Sequence, residues 1–240
     1  MSQHLDAQKL DGHLAMLGRL ASTLSHEIRN PLGALFLLID VLEEKLHQPM
    51  ADHSAQVTRL LVDMKTMLSR MDDLVQDYLS LARLADLRLE PMELGAVVET
   101  YAQEMYKQCS CCGITLRLDG LSSLGQVNLH QNAFRRVLIN LMQNAIDAMP
   151  QGGALTLCGR QAGSWVYLEV QDTGEGIPAE QLSELFVPFH TTKSDGTGLG
   201  LYVVREILAA HGGVVTVTSR PGAGTTCRVM LPLVALESWL

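Results

Sequence analysis

The sequence lacks the features that mark several large classes of protein. Basic residues are outnumbered by acidic ones, 18 to 26, and the net charge of -8 argues against the broad basic surface that nucleic-acid binding requires. The longest strongly apolar stretch, residues 32–42, is too short for a membrane span, which needs about 20 residues. The N-terminus carries no signal-peptide pattern. We therefore expect a cytoplasmic chain with no nucleic-acid partner and no membrane segment.

Cysteine is present, but without the even spacing that staples small secreted domains. Three of the five cysteines are crowded at Cys109, Cys111 and Cys112. A structural zinc site usually needs four ligands, and no histidine lies close to this cluster in the sequence. Buried or idle thiols in a reducing compartment are the simpler interpretation.

The first third of the chain carries two apolar stripes. Between Leu14 and Leu46 apolar residues recur at steps of three and four, and a second such stripe runs from Leu60 to Leu79. Residues 47–54 between the stripes have turn chemistry, so the pattern predicts a helical hairpin. One hairpin buries only part of each stripe. We therefore expect a homodimer in which two hairpins form a four-helix bundle.

The pattern changes after Pro91, where helices begin to alternate with strands. Helices are predicted near residues 94–107, 131–149 and 199–211, and strands at 114–118, 154–160, 165–172, 214–219 and 225–231. Together they predict a mixed sheet covered by helices. The expected organisation is a hairpin domain over residues 1–88 and an α/β domain over residues 89–240.

The first chemical motif, SHEIRNP, lies within the first predicted helix at residues 25–31. Neutral imidazole is a good phosphoryl acceptor, and Glu27 next to His26 can take a proton or hydrogen bond from the ring. Pro31 lacks the N–H that would bond to the Glu27 carbonyl, so it should bend the helix one turn beyond the histidine. These seven residues fit equally well a surface histidine on a core helix that the proline ends.

Two further motifs suggest a nucleotide site. Asn140, Asn144 and Asp147 share one face of a predicted helix, and such oxygen ligands suit Mg²⁺ that also contacts phosphates. Asp172 ends a predicted strand and is followed by Gly174 and Gly176, which lets an acceptor and the backbone approach a flat base such as adenine. A solvated helix face and an ordinary turn are the alternatives.

A glycine-rich loop precedes the last predicted helix. Its glycines let backbone N–H groups converge on phosphate, the helix start adds a favourable dipole, and Lys193 can reach the same anion. The spacing fits neither the dinucleotide fingerprint nor the P-loop. We call this loop the lid. Its candidate nucleotide-binding residues are Thr191, Thr192, Lys193, Gly196, Thr197, Gly198, Leu199 and Gly200.

The order of these motifs, ending in GAGTTCRVMLP, resembles the H, N, G1, F, G2 and final G boxes of sensor histidine kinases over residues 14–233. The resemblance implies a phosphotransfer hairpin joined to a Bergerat-type ATPase domain, with ATP and Mg²⁺ as cofactors and a response regulator receiver domain as partner. It assigns His26 as phosphoacceptor and Glu27 as its acid/base neighbour. It assigns Asn144 as Mg²⁺ ligand, Asp172 as adenine reader and Thr225 as a further adenine contact.

The lid sequence also resembles one subgroup of this family, and the chain departs from the family pattern at two points. The lid is similar to the short PFHTTK type of nitrogen-regulation and metal-response kinases. The chain has no room before Leu14 for a sensor domain, so the input would come through a separate sensory protein, or the chain is an excised core. Cys227 stands where the family often has phenylalanine.

Asn30 raises the prospect of a second activity. It lies four residues after His26, so its amide should project beside the imidazole and could orient a water against a docked aspartyl phosphate. The resemblance agrees, since asparagine at this step is linked with phosphatase activity in such kinases. Alternatively, Asn30 simply precedes the helix-bending Pro31.

Two other functions fit parts of the pattern. One is an ATPase or protein-serine kinase of the same fold, and the other is a scaffold that binds ATP without transfer. Hydrolytic relatives typically carry a glutamate four residues before the metal asparagine, whereas this chain has Asn140 there. A scaffold would not need His26 beside Glu27. We therefore expect autophosphorylation of His26 and transfer to a response regulator.

Overall fold

The computed structural model describes residues 2–46, 54–193 and 196–234. The chain divides into two compact units. One contains the residues up to Ala85 together with Thr191–Thr197, and the other contains Asp86–His190 and the chain from Gly198 onward.

The first unit is a helical hairpin, as the two apolar stripes predicted. Helix α1 spans Ser2–Leu46 and helix α2 spans Ser54–Ala82. Near the turn, the Lys45 ammonium donates a 2.7 Å hydrogen bond to the Gln56 side chain and so joins the two helices. Helix α1 continues through Pro31, although the proline removes the N–H donor that would bond to the Glu27 carbonyl. Most of the predicted turn, 47–53, lies outside the described residues.

The second unit is an α/β sandwich with two sheets. Its helices are α3 (Leu94–Cys111), α4 (Gln131–Asp147) and α5 (Gly200–Ala210), and its strands are β1 (Glu90–Glu93), β2 (Ile114–Asp119), β3 (Gln126–Leu129), β4 (Gly153–Ala162), β5 (Trp165–Asp172), β6 (Val214–Ser219) and β7 (Thr225–Pro232). The main sheet has the order β2-β4-β5-β7-β6, in which β2 runs parallel to β4 and the other pairs are antiparallel. Strands β1 and β3 form a separate antiparallel pair.

The period-two pattern of the central strand explains the two layers. In β5, Val166, Leu168 and Val170 are buried, while the residues between them are partly exposed. The buried faces of α3, α4 and α5 supply the rest of the core. Burial of each such aliphatic side chain contributes about 1.5–3 kcal/mol to stability. The ends of β5, α4 and α5 carry the motifs found in the sequence.

The predicted helices and strands are all confirmed, with differences at their ends. Helix α1 begins well before Leu14, and α3 continues to Cys111, where Gly113 with φ of 70° lets the chain turn into β2. Strands β1 and β3 were not predicted. Within the described residues, no helix combines the length and the apolar character that a membrane crossing requires.

Candidate functional site

The candidate phosphoacceptor lies on the surface of α1. His26 and Asn30 are exposed and stand one helical turn apart, and Glu27 is half-buried. A groove of about 520 Å³ between α1 and α2 is lined on one side by Glu27 and Asn30. From α2, Asp63 and Arg70 contribute to the same groove. The imidazole is therefore accessible and has a carboxylate and an amide as neighbours along its helix.

Asp172 is held at the end of β5 by two backbone donors. Its Oδ1 accepts hydrogen bonds from the N–H of Gly174 at 2.8 Å and from the N–H of Thr225 at 3.1 Å. Neither bond involves Oδ2, so this second carboxylate oxygen can accept a hydrogen bond from a ligand. Burial raises the pKa of Asp172 above its usual range, and the two backbone bonds oppose that rise.

The walls around Asp172 come close because two glycines lack side chains. A Cβ on Gly174 would lie 2.4 Å from the Ala148 carbonyl oxygen at the end of α4. Gly224 has φ of 83°, and a Cβ there would lie 2.0 Å from the Asp172 carbonyl oxygen. The loop after β5 is therefore clamped between the end of α4 and the β6–β7 turn, which fixes the position of Asp172.

Ser219 belongs to this site and was missed by the sequence analysis. Its hydroxyl lies 2.9 Å from the Thr225 hydroxyl and 2.9 Å from the Gly224 carbonyl oxygen, and it accepts a 2.8 Å bond from the Ile177 N–H. Thr225 is buried, with 8% of its surface exposed. Ser219 thus links the loop after Asp172 to the β6–β7 turn and fixes the Thr225 side chain.

The three polar residues of α4 have distinct surroundings. Asn140 donates a 3.2 Å hydrogen bond from its amide to the Gly200 carbonyl oxygen at the start of α5. Asp147 is exposed and accepts a 2.7 Å bond from Gln143, one turn earlier. Asn144 is half-buried between them along the helix. Asn140 therefore positions α5 in addition to any contact with a nucleotide.

The polar residues of α4 suit a Mg²⁺ ion that is bound together with a nucleotide. In the part of the chain that the structure describes, no group of three or more His, Cys, Asp or Glu side chains could hold a metal ion. Mg²⁺ commonly keeps several waters and takes one or two protein oxygens plus those of substrate phosphates. An amide oxygen such as that of Asn144 suits this arrangement, in which a nucleotide supplies the remaining ligands.

The lid has a narrow neck and a short internal turn. At the neck, the Phe189 N–H donates a 2.9 Å hydrogen bond to the Gly198 carbonyl oxygen. Both residues have positive φ, 65° and 69°, and a Cβ on Gly198 would lie 2.4 Å from the Phe189 carbonyl carbon. Farther along, the Thr191 hydroxyl accepts a 3.1 Å bond from the Lys193 N–H. Leu199 is buried, so only its backbone could reach a ligand.

Two histidines near the motifs take structural roles. His190, within the lid motif, places Nε2 2.9 Å from a carboxylate oxygen of Glu184. His211 is the C-cap of α5, and only 3% of its surface is exposed. Neither observation makes these residues candidates for phosphate transfer.

Two family models match the chain, one in each unit. Residues 16–86 match the His Kinase A (phospho-acceptor) domain, and residues 129–235 match the histidine kinase-, DNA gyrase B-, and HSP90-like ATPase family. The chain is 33% identical over 228 residues to the sensor histidine kinase ZraS of Escherichia coli K12, covering 95% of this chain and 48% of that protein. It is also 33% identical over 225 residues to sporulation kinase A of Bacillus subtilis, covering 91% of this chain and 35% of that protein.

Solved structures show the same architecture. The catalytic domain of histidine kinase ThkA superposes with a TM-score of 0.56 at 26% identity, covering 61% of this chain and 96% of that one. In the complex of ThkA with the response regulator protein TrrA, the match covers 99% of this chain and 68% of that one, with a TM-score of 0.78 at 23% identity, which supports the fold alone. The chain spans about half the length, or less, of the curated relatives described above.

Proposed function

Because the chain belongs to the histidine kinase family, we propose that it transfers the γ-phosphoryl group of ATP to His26 and then to an aspartate of a response regulator receiver domain. The observation that carries this proposal is the pairing of two features in one chain. One is an exposed imidazole beside a carboxylate on a hairpin helix. The other is a strand-end carboxylate with one oxygen pinned and the other available.

Asp172 suits recognition of the adenine base. Its Oδ2 can accept a hydrogen bond from the exocyclic amine, and Thr225 lies on the same wall with its hydroxyl held by Ser219. Gly174 and Gly176 let the loop after Asp172 pack directly against the Ala148 and Arg220 carbonyl groups, which fixes the backbone beside the proposed base site. A base without an amine at the corresponding position would leave Oδ2 of the half-buried Asp172 without a donor, which penalises binding.

The phosphate end of the nucleotide would meet the lid and the polar face of α4. Mg²⁺, when bound, would neutralise charge on the β- and γ-phosphates. Asn144 is the proposed protein ligand, and Lys193 supplies a further positive charge. The other proposed contacts are Asn140, Asp147, Thr191, Thr192, Gly196, Thr197, Gly198, Gly200 and the backbone of Leu199.

At the phosphoacceptor site, the His26 imidazole is the nucleophile and Glu27 is its proton acceptor. A carboxylate adjacent to His26 can accept the proton from one ring nitrogen and leave the other nucleophilic. The P–O bond to the leaving diphosphate breaks as the N–P bond to imidazole forms, so the electron pair leaves on ADP. Because such transfer depends mostly on positioning and charge neutralisation, no strong base is required.

Hydrolysis of ATP is the competing function, and Asn140 argues against it. A neutral amide is a poor proton acceptor, and this amide already donates to the Gly200 carbonyl oxygen. A residue that is held in this way cannot activate a water as a glutamate would. The same geometry favours transfer to His26 over release of phosphate.

The wider assembly follows from the same proposal. We place the chain in the cytoplasm, where ATP is available and the five free thiols would stay reduced. Two copies form the four-helix bundle, domain boundaries fall at 88/89, and the input comes from a separate sensory protein or a segment outside this chain. The lid sequence PFHTTK, residues 188–193, supports the short-lid subgroup of nitrogen-regulation and metal-response kinases.

Two substitutions test base recognition and metal binding in one experiment. Asp172→Asn keeps an oxygen for the two backbone bonds but places an NH₂ where Oδ2 was, so a donor faces a donor. We expect ATP affinity to fall at least tenfold, because a hydrogen bond to a charged group contributes about 1.5–3 kcal/mol. Asn144→Ala should retain ATP binding while losing Mg²⁺-dependent labelling from γ-labelled ATP.

The controls for that experiment are matched to each change. Asn132→Ala removes an exposed amide from the first turn of α4, and Asp119→Asn makes the same chemical change at the exposed end of β2. Both should behave as wild type in calorimetric titration and in labelling. Unchanged ATP affinity in Asp172→Asn would place the adenine pocket elsewhere.

A second activity is favoured by the exposure of Asn30. Its amide stands one turn from His26 and lines the groove between α1 and α2, where it can align a water against a regulator aspartyl phosphate. We expect Asn30→Ala to keep most autophosphorylation and to slow the decay of purified phospho-regulator in the presence of ADP and Mg²⁺. Equal decay with both proteins would retire the phosphatase role, and loss of both activities would indicate a structural one.

A further inference from the structure

His211 makes two hydrogen bonds that define its protonation state. Its Nδ1 lies 2.7 Å from the Ile207 carbonyl oxygen, and because a carbonyl only accepts, Nδ1 must carry the proton. Its Nε2 accepts a 2.9 Å bond from the backbone N–H of His130. The ring is therefore neutral, buried, and engaged at both nitrogens.

This ring joins the end of one helix to the start of another. His211 caps α5, where the Gly213 N–H returns to the Leu208 carbonyl oxygen at 2.8 Å in a glycine-rich C-terminal turn. His130 is the N-cap of α4, and its own Nδ1 accepts a 3.2 Å bond from the Ala133 N–H. The link is thus made between two fixed helix ends.

A second polar link joins the same two helices at the other end of α5. There the Asn140 amide donates to the Gly200 carbonyl oxygen at 3.2 Å. The two links lie ten residues apart on α4 and eleven apart on α5, which correspond to roughly 15 and 16 Å of helix. The matching lengths mean that α4 and α5 are held in register at two points, with the helices running in opposite directions.

We propose that His211 is a positioning residue for ATP, because its bond to His130 sets the register of α5 against α4. That register fixes the distance between the glycine-rich start of α5 and Asn144, the two elements proposed to contact the phosphates. The inference rests on the proposed nucleotide site, although His211 itself lies about 16 Å along the helix from Gly200 and is not among the proposed ATP contacts.

Two substitutions at His211 separate its two bonds. His211→Gln can place an acceptor oxygen near the position of Nε2 and so preserve the link to His130. His211→Asn is shorter and can replace only the donor to Ile207, so it keeps the helix cap and loses the link. We expect His211→Asn to weaken Mg²⁺-dependent ATP binding about tenfold, measured by calorimetry on the full chain well below its melting temperature. His211→Gln should stay within about threefold of wild type.

A stability control distinguishes positioning from general destabilisation. Val98→Ala opens a cavity at a fully buried position of α3 and should lower the melting temperature without changing ATP affinity. Equal ATP affinity in His211→Asn and wild type would overturn the proposal, as would equal losses in Val98→Ala at a matched melting temperature. Failure of both His211 variants to fold would show a purely structural role. Failure of the wild type to bind ATP would instead contradict the proposed function.

Discussion

At the scale of single residues, hydrogen bonds fix the orientation of two side chains, the Asp172 carboxylate and the His211 imidazole. Asp172 has one oxygen occupied by two backbone N–H groups, so its orientation is set before any ligand arrives. Such preorganisation reduces the cost of ordering the side chain on binding. Burial and the Asp172 charge raise the pKa of the nearby Cys227 thiol to about 12. The thiol therefore stays protonated at neutral pH and is a poor nucleophile.

The His211 ring makes stability depend on pH. Burial lowers its pKa below the ordinary value of about 6.5, the Ile207 carbonyl opposes the change, and His130 adds to the lowering. The neutral ring is the folded form, so its contribution is complete above about pH 6.5 and is lost as pH falls from there toward the folded-state pKa. We expect the melting temperature to fall between pH 7.5 and 5.5, and to fall less in His211→Gln. Identical pH profiles for the two proteins would contradict this assignment.

Residue types were predictable here, but some residue roles were not. Asp172, Asn144 and the glycines are recognisable because the chemistry of each motif is local in sequence. Ser219 and His211 act through partners 42 and 81 residues away, Ile177 and His130. A serine at a strand end and a histidine at a helix end have many ordinary explanations, so only the fold reveals these pairings.

At the scale of elements, the long periodic segments were predictable and the short ones were not. The stripes of α1 and α2 and the alternation in β5 each bury one face over several turns or residues, which leaves a clear pattern. Strands β1 and β3 have four residues each and form a two-stranded sheet apart from the main one. Pro91 within β1 argues against a strand, because proline cannot donate to the ladder.

The hairpin helices expose apolar side chains that a second copy would cover. Phe36 and Leu37 of α1 are 65% and 67% exposed, and Val62 and Leu68 of α2 are 55% and 52% exposed. Pairing of two hairpins would bury these side chains in a four-helix bundle. We expect light scattering to give about twice the 26.3 kDa mass of one chain, and Leu37→Glu to shift the protein toward monomer.

The matched control lies in the other unit. Leu118 on β2 is 43% exposed, and Leu118→Glu makes the same change of chemistry away from the hairpin. That variant should remain dimeric. A wild-type mass of one chain at micromolar concentration would contradict the bundle.

At the scale of the whole molecule, the chain separates the acceptor from the donor. One unit carries His26 on a hairpin, and the other carries α4, α5 and the end of β5, which contribute the proposed adenine reader and Mg²⁺ ligand. In the proposed reaction, the hairpin unit supplies the acceptor imidazole and the second unit supplies the residues proposed to bind ATP. The order of the motifs predicted this division, whereas the internal links of the nucleotide-binding unit required the structure.

The chemical nature of the phosphorylated residue tests the central claim most directly. The full chain is incubated with γ-labelled ATP and Mg²⁺, and the label is then challenged with acid and with alkali. A phosphoimidazole should survive alkali and be lost in acid, and His26→Gln should bind ATP as wild type yet acquire no label. Label that persists in His26→Gln, or that survives acid in the wild type, would contradict the account.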